Sequence, residues 1–129
     1  MRGVPDVAAN ADASTAMALT FAGGILYPAQ GTSAATPLWA AVIALADQTA
    51  DRHLGFVNPA IYAIARSPAY HHAFHDVITG DNSVFWPTRA FIGYTAGPGW
   101  DPVTGWGSPN AHILVPLLAH TAHRHGTRS

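Results

Sequence analysis

From residue 34 to residue 46 the chain carries no charged side chain, and its apolar residues recur at helical spacing. Leu38, Val42 and Leu45 fall on one stripe and Trp39, Ile43 and Ala46 on the next, and the first charge arrives only at Asp47. A helix that is apolar on nearly every face is a buried one, so this segment is expected to be a central helix. Its entrance is fixed as well. Pro37 has no N–H to give and is tolerated only in a first turn, which makes Thr32 or Ser33 the expected cap. Ser33 therefore stands at the N-terminal mouth of the helix.

Elsewhere the pattern is shorter. Residues 1–30 show no helical period, and Pro5, Asn10, Asp12, Gly23, Gly24 and Pro28 break them into loops and one or two strands, such as Met17–Phe21 and residues 25–27. Asn58 as cap and Pro59 at the first helical position predict a second helix through Ile61, Tyr62 and Ile64, stopped by Ser67-Pro68. A third is predicted from Ser108-Pro109 through Ile113, Leu114, Leu117 and Leu118, bent at Pro116. Residues 74–107 are rich in Gly, Pro, Asp and aromatics, which is loop chemistry with short strands. Residues 119–129 read as a polar, frayed tail behind a domain of residues 1–118.

A chain of 129 residues holds one domain with a real core and has no room for two. Apolar residues make up 49% and charged ones only 10%, where about a quarter is usual. Such a surface fits a piece to be covered by the rest of a larger domain, and it also fits adaptation to acid, where carboxylates lose their charge. All seven acids are Asp and all six bases are Arg, with no Glu and no Lys. The net charge of −1 and a pI near 6.7 offer no basic stripe, so nucleic acid and anionic membrane are not expected as partners. Without Cys there is no disulfide framework and no thiolate metal site. The N-terminus lacks the apolar run of a signal peptide, and no apolar stretch is long enough to span a bilayer. As written, the chain shows no export signal.

The chemistry-bearing segment is Gly31-Thr32-Ser33-Ala34. A serine at a helix mouth gains from the helix dipole and from free N–H groups that can hold the oxyanion formed when its Oγ attacks a carbonyl. Gly31 admits a substrate backbone, and Ala34 and Ala35 keep the mouth uncluttered. A bare Gly-Thr-Ser tripeptide, however, is more commonly just a helix cap.

The longer run Gly31-Thr32-Ser33-Ala34-Ala35-Thr36-Pro37-Leu38-Trp39-Ala40 resembles the nucleophile segment of the sedolisin family, whose pattern is G-T-S-A-x-x-P-L-W-A. Subtilisins typically carry Met after the serine and His after the proline, where this chain has Ala34 and Leu38. The resemblance extends to Arg2-Gly3-Val4-Pro5-Asp6-Val7 and Ala11-Asp12, to Phe56-Val57-Asn58-Pro59-Ala60-Ile61-Tyr62, to Phe74-His75-Asp76-Val77, and to the run from Gly97 to Gly107. It covers nearly the whole chain up to about Leu118. Gln30 departs from it, standing where the family has Gly or Ser, and the stretch between Asp12 and Gln30 matches loosely.

The resemblance implies an α/β, partial subtilisin-like domain and a peptidase in which Ser33 forms an acyl-enzyme at acidic pH. The family's base is a Glu oriented by an Asp, with a further Asp at the oxyanion, and all three precede the segment with which this chain begins. Asp6 and Asp12 match structural positions instead. A serine without a base in reach is a weak nucleophile, so this chain is expected to be inactive until completed by an N-terminal half. His53, His71, His72, His75 and His112 have no motif around them and read as surface or structural residues. His120, His123 and His125 partly share a helix face but lack an accompanying carboxylate, so solvated histidines are expected there too.

The resemblance also implies one calcium ion, held by Asp76, Val77, Gly97, Gly99 and Asp101, with water completing the shell. Calcium takes six to eight oxygens from carboxylates, carbonyls and water, and glycines either side of Pro98 can present carbonyls. Composition alone would read the same stretch as a turn-rich loop with incidental aspartates. Beside the implied site, Asp81 and Asn82 are either outer partners of the ion or simply turn residues. The expected function is thus a serine-type peptidase fragment acting on peptide or protein substrate. The alternative is an inactive calcium-binding remnant or interaction fragment. The family implies a secreted or acidic-compartment parent enzyme.

Overall fold

A computed structural model describes residues 3–125. Among the described residues four α-helices, one of them a single turn, and three two-stranded antiparallel ribbons form a mixed α/β arrangement with open sheets, as expected of a partial domain. Strands β1 (Met17–Phe21) and β2 (Ile25–Ala29) form a hairpin, with Met17 opposite Ala29 and Phe21 opposite Ile25. Pro28 is accommodated in β2 because a two-stranded ribbon leaves each strand an open edge. Helix α1 (Thr32–Ala50) follows after a two-residue break, Gln30-Gly31.

Helix α2 (Asn58–Ala65) starts where Asn58-Pro59 predicts, but Val57 is the residue before its first turn. Asn58 is no cap, because its side-chain amide donates to Asp6 Oδ2 at 2.9 Å. A one-turn helix, α3 (Tyr70–Ala73), leads into β3 (Phe74–His75). Strands β4 (Val84–Trp86) and β5 (Arg89–Phe91) form a second hairpin.

The third predicted helix begins later than expected. Ser108 and Pro109 form strand β6 (Ser108–Pro109), with Phe74 opposite Pro109 and His75 opposite Ser108. Helix α4 (Ala111–His125) starts two residues on, and Asn110 O accepts from Leu114 N at 2.8 Å. The helix runs past Leu118 with Pro116 inside it, so the segment expected to fray is helical as far as His125; residues 126–129 lie outside the described ones.

The core lies where α1, α2, α3 and α4 meet. Val42 and Ala46 of α1 pack with Ile61 and Ile64 of α2 and with Leu114 and Leu118 of α4, both of the last being 0% exposed. One side of α1 is thus buried and the other is not. Ser33, Pro37, Ala40, Ala41, Ala44 and Leu45 are exposed, which corrects the expectation of a helix buried all round. Both predicted stripes therefore contribute to the core through Val42 and Ala46, and the bare face is the one made by Pro37, Ala40, Ala41, Ala44 and Leu45. Phe56, at 78% exposed, and the aromatic residues of β4 and β5 are bare as well. Among the described residues no helix is long and apolar enough to cross a membrane.

Candidate active site and cation loop

Gly31 sets the geometry at the mouth of α1. Its φ of 69° and ψ of −172° are accessible to glycine and strained for any other residue. The turn lets Gly31 O accept from Ala34 N at 3.0 Å and Ala35 N at 3.2 Å, so Gly31 caps α1 through its backbone. No side chain bonds there, which corrects the assignment of Thr32 or Ser33 as cap: both already lie inside the first turn. Relieved of capping, Ser33 is exposed, and among the described residues nothing hydrogen-bonds its Oγ. The amides of Thr32 and Ser33 belong to the first turn, whose N–H groups have no partner within the helix.

Among the described side chains no histidine or carboxylate meets Ser33. His53 Nδ1 pairs with Asp47 Oδ2 at 3.0 Å, but this pair sits at the far end of α1, about 20 Å of helix away. Asp47 is held below the ordinary aspartate range first by the amide of Leu54, then by His53. His71 and His72 lie in α3, His75 in β3, and His112 and His120 in α4, where His120 Nδ1 is 2.6 Å from Pro116 O. The side chains of His123 and His125 lie outside the described ones.

Beside the mouth a groove of about 410 Å³ runs between α1 and the N-terminal segment, lined mostly by apolar atoms of Val7, Ala8, Ala35, Thr36 and Trp39. Trp39 Nε1 donates to Ala8 O at 2.8 Å across it.

The second cluster gathers around Asp101, which is only 5% exposed. Its Oδ1 accepts from Val103 N and Thr104 N, both at 2.8 Å, and its Oδ2 from Thr104 Oγ1 at 3.1 Å and Gly97 N at 3.2 Å. Burial pushes this carboxyl up, but those donors outweigh it and hold the group below the ordinary range. Asp76 Oδ2 accepts from Gly99 N at 2.8 Å, which joins the two segments. The structure therefore brings Asp76, Gly97, Gly99 and Asp101 together, while Val77 next to Asp76 is partly exposed. The two glycines turn their amides toward the carboxylates.

Asp76 Oδ1 is buried and has no hydrogen-bond partner in good geometry; the neighbouring Tyr70 hydroxyl, close enough to feel Asp76, is directed to Trp106 O. An orphaned carboxylate oxygen is costly, and a cation beside it would remove the cost, so these residues fit a hard metal ion. Among the described residues no three His, Cys, Asp or Glu side chains converge, which leaves carbonyl oxygens to complete any such shell. Tyr70 borders the cluster; its hydroxyl donates to Trp106 O at 3.3 Å, and burial, then Asp76 and Asp101, push its pKa well above the ordinary tyrosine value. Asp81 and Asn82 lie off this cluster, bonded to Ser83 N and Tyr94 N.

Sequence reasoning missed the residues that tie the two clusters together. Asp6 takes Asn58 Nδ2 and, at 2.7 Å, the Tyr62 hydroxyl, and Trp100 Nε1 donates to Pro5 O at 3.0 Å. The Asp101-x-x-Thr104 spacing carried a signal for its own turn, since Asp side chains accept from amides two or three residues on.

No protein-family profile matches the chain. It is 44% identical over 121 residues to kumamolisin of a Bacillus species, strain MN-32, a match covering 94% of this chain and 20% of that protein. It is 40% identical over 121 residues to a tripeptidyl-peptidase of Arthroderma otae, covering 91% of this chain and 16% of the relative. Physarolisin of Physarum polycephalum is 40% identical over 123 residues, covering 92% and 20%. The chain spans about a fifth of the length of these relatives. With the nucleophile-type motif at a helix mouth and matches to several peptidases along nine-tenths of its length, the chain belongs to the sedolisin family and corresponds to the C-terminal part of a sedolisin-type peptidase.

Proposed function

We propose that this chain supplies the nucleophile of a serine-carboxyl peptidase with a subtilisin-like domain. The observation that carries the reading is Ser33 itself, exposed in the first turn of α1 with its hydroxyl unengaged. Ser33 Oγ adds to the carbonyl carbon of a peptide bond, and its proton passes to a carboxylate base. The chain contains no Glu and no described Asp meets Ser33, so in this reading the base is supplied by the rest of the peptidase domain. The carbonyl oxygen takes up negative charge and is met by the Ser33 amide, favoured by the helix dipole. The C–N bond then breaks, the amine leaves with the proton returned by the base, and water hydrolyses the ester on Ser33 to restore the hydroxyl. A carboxylate base is matched to acid pH.

The bare stripe of α1, from Pro37 to Leu45, is the face on which the rest of the domain would pack. Asp76 and Asp101, with the carbonyls of Val77, Gly97 and Gly99, would hold one calcium ion. When bound, the ion supplies positive charge to two carboxylates and pins their loops, stabilising the fold by mass action. The support is the buried Asp76 Oδ1, which has no hydrogen-bond partner in good geometry.

A second reading, a calcium-binding remnant without catalysis, is favoured by the lack of any described acid or histidine at Ser33. Complementation separates the two. The chain is mixed with the upstream part of kumamolisin, prepared without its own matching segment, and peptide hydrolysis is followed at acid pH. Hydrolysis that Ser33→Ala abolishes supports the peptidase reading. A folded complex in which no hydrolysis appears favours the remnant.

A further inference from the structure

Residues 5–11 form one strap that touches both clusters. At one end Trp100 Nε1 donates to Pro5 O at 3.0 Å, Trp106 N to Asp6 O at 3.0 Å, and Ala8 N to Gly107 O at 3.0 Å. Gly105 lies flat against the backbone of Pro5 and Asp6, so closely that a Cβ there would overlap it. These partners flank Asp101, which bonds Gly105 in both directions, N to O at 3.2 Å and O to N at 2.9 Å. At the other end Trp39 Nε1 holds Ala8 O at 2.8 Å. Gly31 N donates to Ala11 O, also at 2.8 Å, two residues before Ser33. From the side, Asn58 and Tyr62 grip the Asp6 carboxylate.

We infer that this strap makes the Asp101 loop and the Gly31 turn one mechanical unit, so that filling the Asp76/Asp101 site orders the turn presenting Ser33, with Trp39 as the positioning residue that clamps the strap to α1. The inference rests on the cation reading above. Its physical basis is the chain of backbone anchors: opening the Asp101 loop takes away the partners of Pro5, Asp6 and Ala8 together, and these groups are half-buried, so leaving them unpaired carries a cost. Ala8 is the joint of the strap, its N–H held by Gly107 O and its carbonyl by Trp39 Nε1, so a shift on the Asp101 side is passed to the α1 side through one residue. The element biased by both clusters is therefore named and local.

Residue-resolved amide exchange on the full chain, with calcium chloride as the probe, tests this. Calcium is expected to slow exchange about tenfold at Gly105, Trp106 and Gly107 and, by coupling, at Gly31, while core amides such as Ile64 change less. In Trp39→Phe, which keeps a ring but loses the donor, slowing is expected to persist at 105–107 and vanish at Gly31. Slowing at 105–107 without slowing at Gly31 in the unaltered chain overturns the strap and leaves the cation reading standing. No slowing anywhere overturns both. Uniform slowing that includes Ile64 reflects global stabilisation and also overturns the strap, as does Gly31 slowing that survives Trp39→Phe. Should that variant not fold, the comparison of Gly31 with Ile64 in the unaltered chain decides alone.

Discussion

The Tyr62 hydroxyl donates to Asp6 Oδ1 at 2.7 Å, a bond between residues 56 apart in sequence. It joins the N-terminal strap to α2 at a half-buried site. A hydrogen bond to a carboxylate contributes about 1.5–3 kcal/mol. Tyr62→Phe keeps the ring packed edge-on against Trp106 and is expected to lose about that much stability in urea unfolding. A change below about 0.5 kcal/mol would show that the strap is not held from this side.

Ser33→Ala is expected to leave stability within about 0.5 kcal/mol. Gly31 caps α1 through its backbone, and the Ser33 hydroxyl has no partner among the described residues. Loss of a true cap costs about 1 kcal/mol. A loss of that size in chemical denaturation would mean that Ser33 is a structural residue and not one kept free for chemistry.

Asp47 gives the chain a pH dependence of known sign. Its carboxyl is held low by the Leu54 amide and by His53. A group whose folded pKa is depressed stabilises the fold above its unfolded value, 3.8 for an aspartate here, and that contribution fades as pH falls through the folded value. Asp47→Asn should therefore melt lower than the unaltered chain at pH 7, and the gap should close below about pH 4. A gap that stays constant to about pH 2.5 would contradict the assignment.

Calcium should raise the melting temperature of the chain, by the equivalent of about 2.7 kcal/mol at a hundredfold excess over Kd. Asp76→Asn keeps an acceptor for Gly99 N but removes the charge beside the orphaned oxygen, and should abolish the shift. An unchanged melting curve for the unaltered chain would remove the ion from the account.

What could be read from the sequence was local. The strands β1 and β2 were legible as short apolar runs either side of Gly23-Gly24, though not their pairing, and α2 because Asn58-Pro59 opens it. The cap of α1 was not, since Gly31 does that work through a positive φ that leaves no mark except the glycine itself. Ser108-Pro109 looks like a helix start, but Phe74 and His75 capture it as a strand, and pairing across that separation has no local signal. The bare side of α1 went unseen because an all-apolar helix says that it wants cover without saying which side receives it from these residues.

The same division holds for the two clusters. Ser33, Asp76 and Asp101 stand in motifs and could be named in advance, and the structure brings Asp76 to Gly99 and Asp101 to Gly97. The strap could not be foreseen, because its bonds run to backbone oxygens of Pro5, Asp6, Ala8 and Ala11, and a carbonyl has no residue type to betray it.

The most direct test of the account is peptide hydrolysis by the chain alone, compared with Ser33→Ala, from about pH 3 to about pH 8. With Ser33 exposed at the mouth of α1 and no described acid or histidine beside it, the chain should release no more product than the Ser33→Ala control. Turnover by the isolated chain that disappears in Ser33→Ala would show that a base lies within these residues and would contradict the account at its centre.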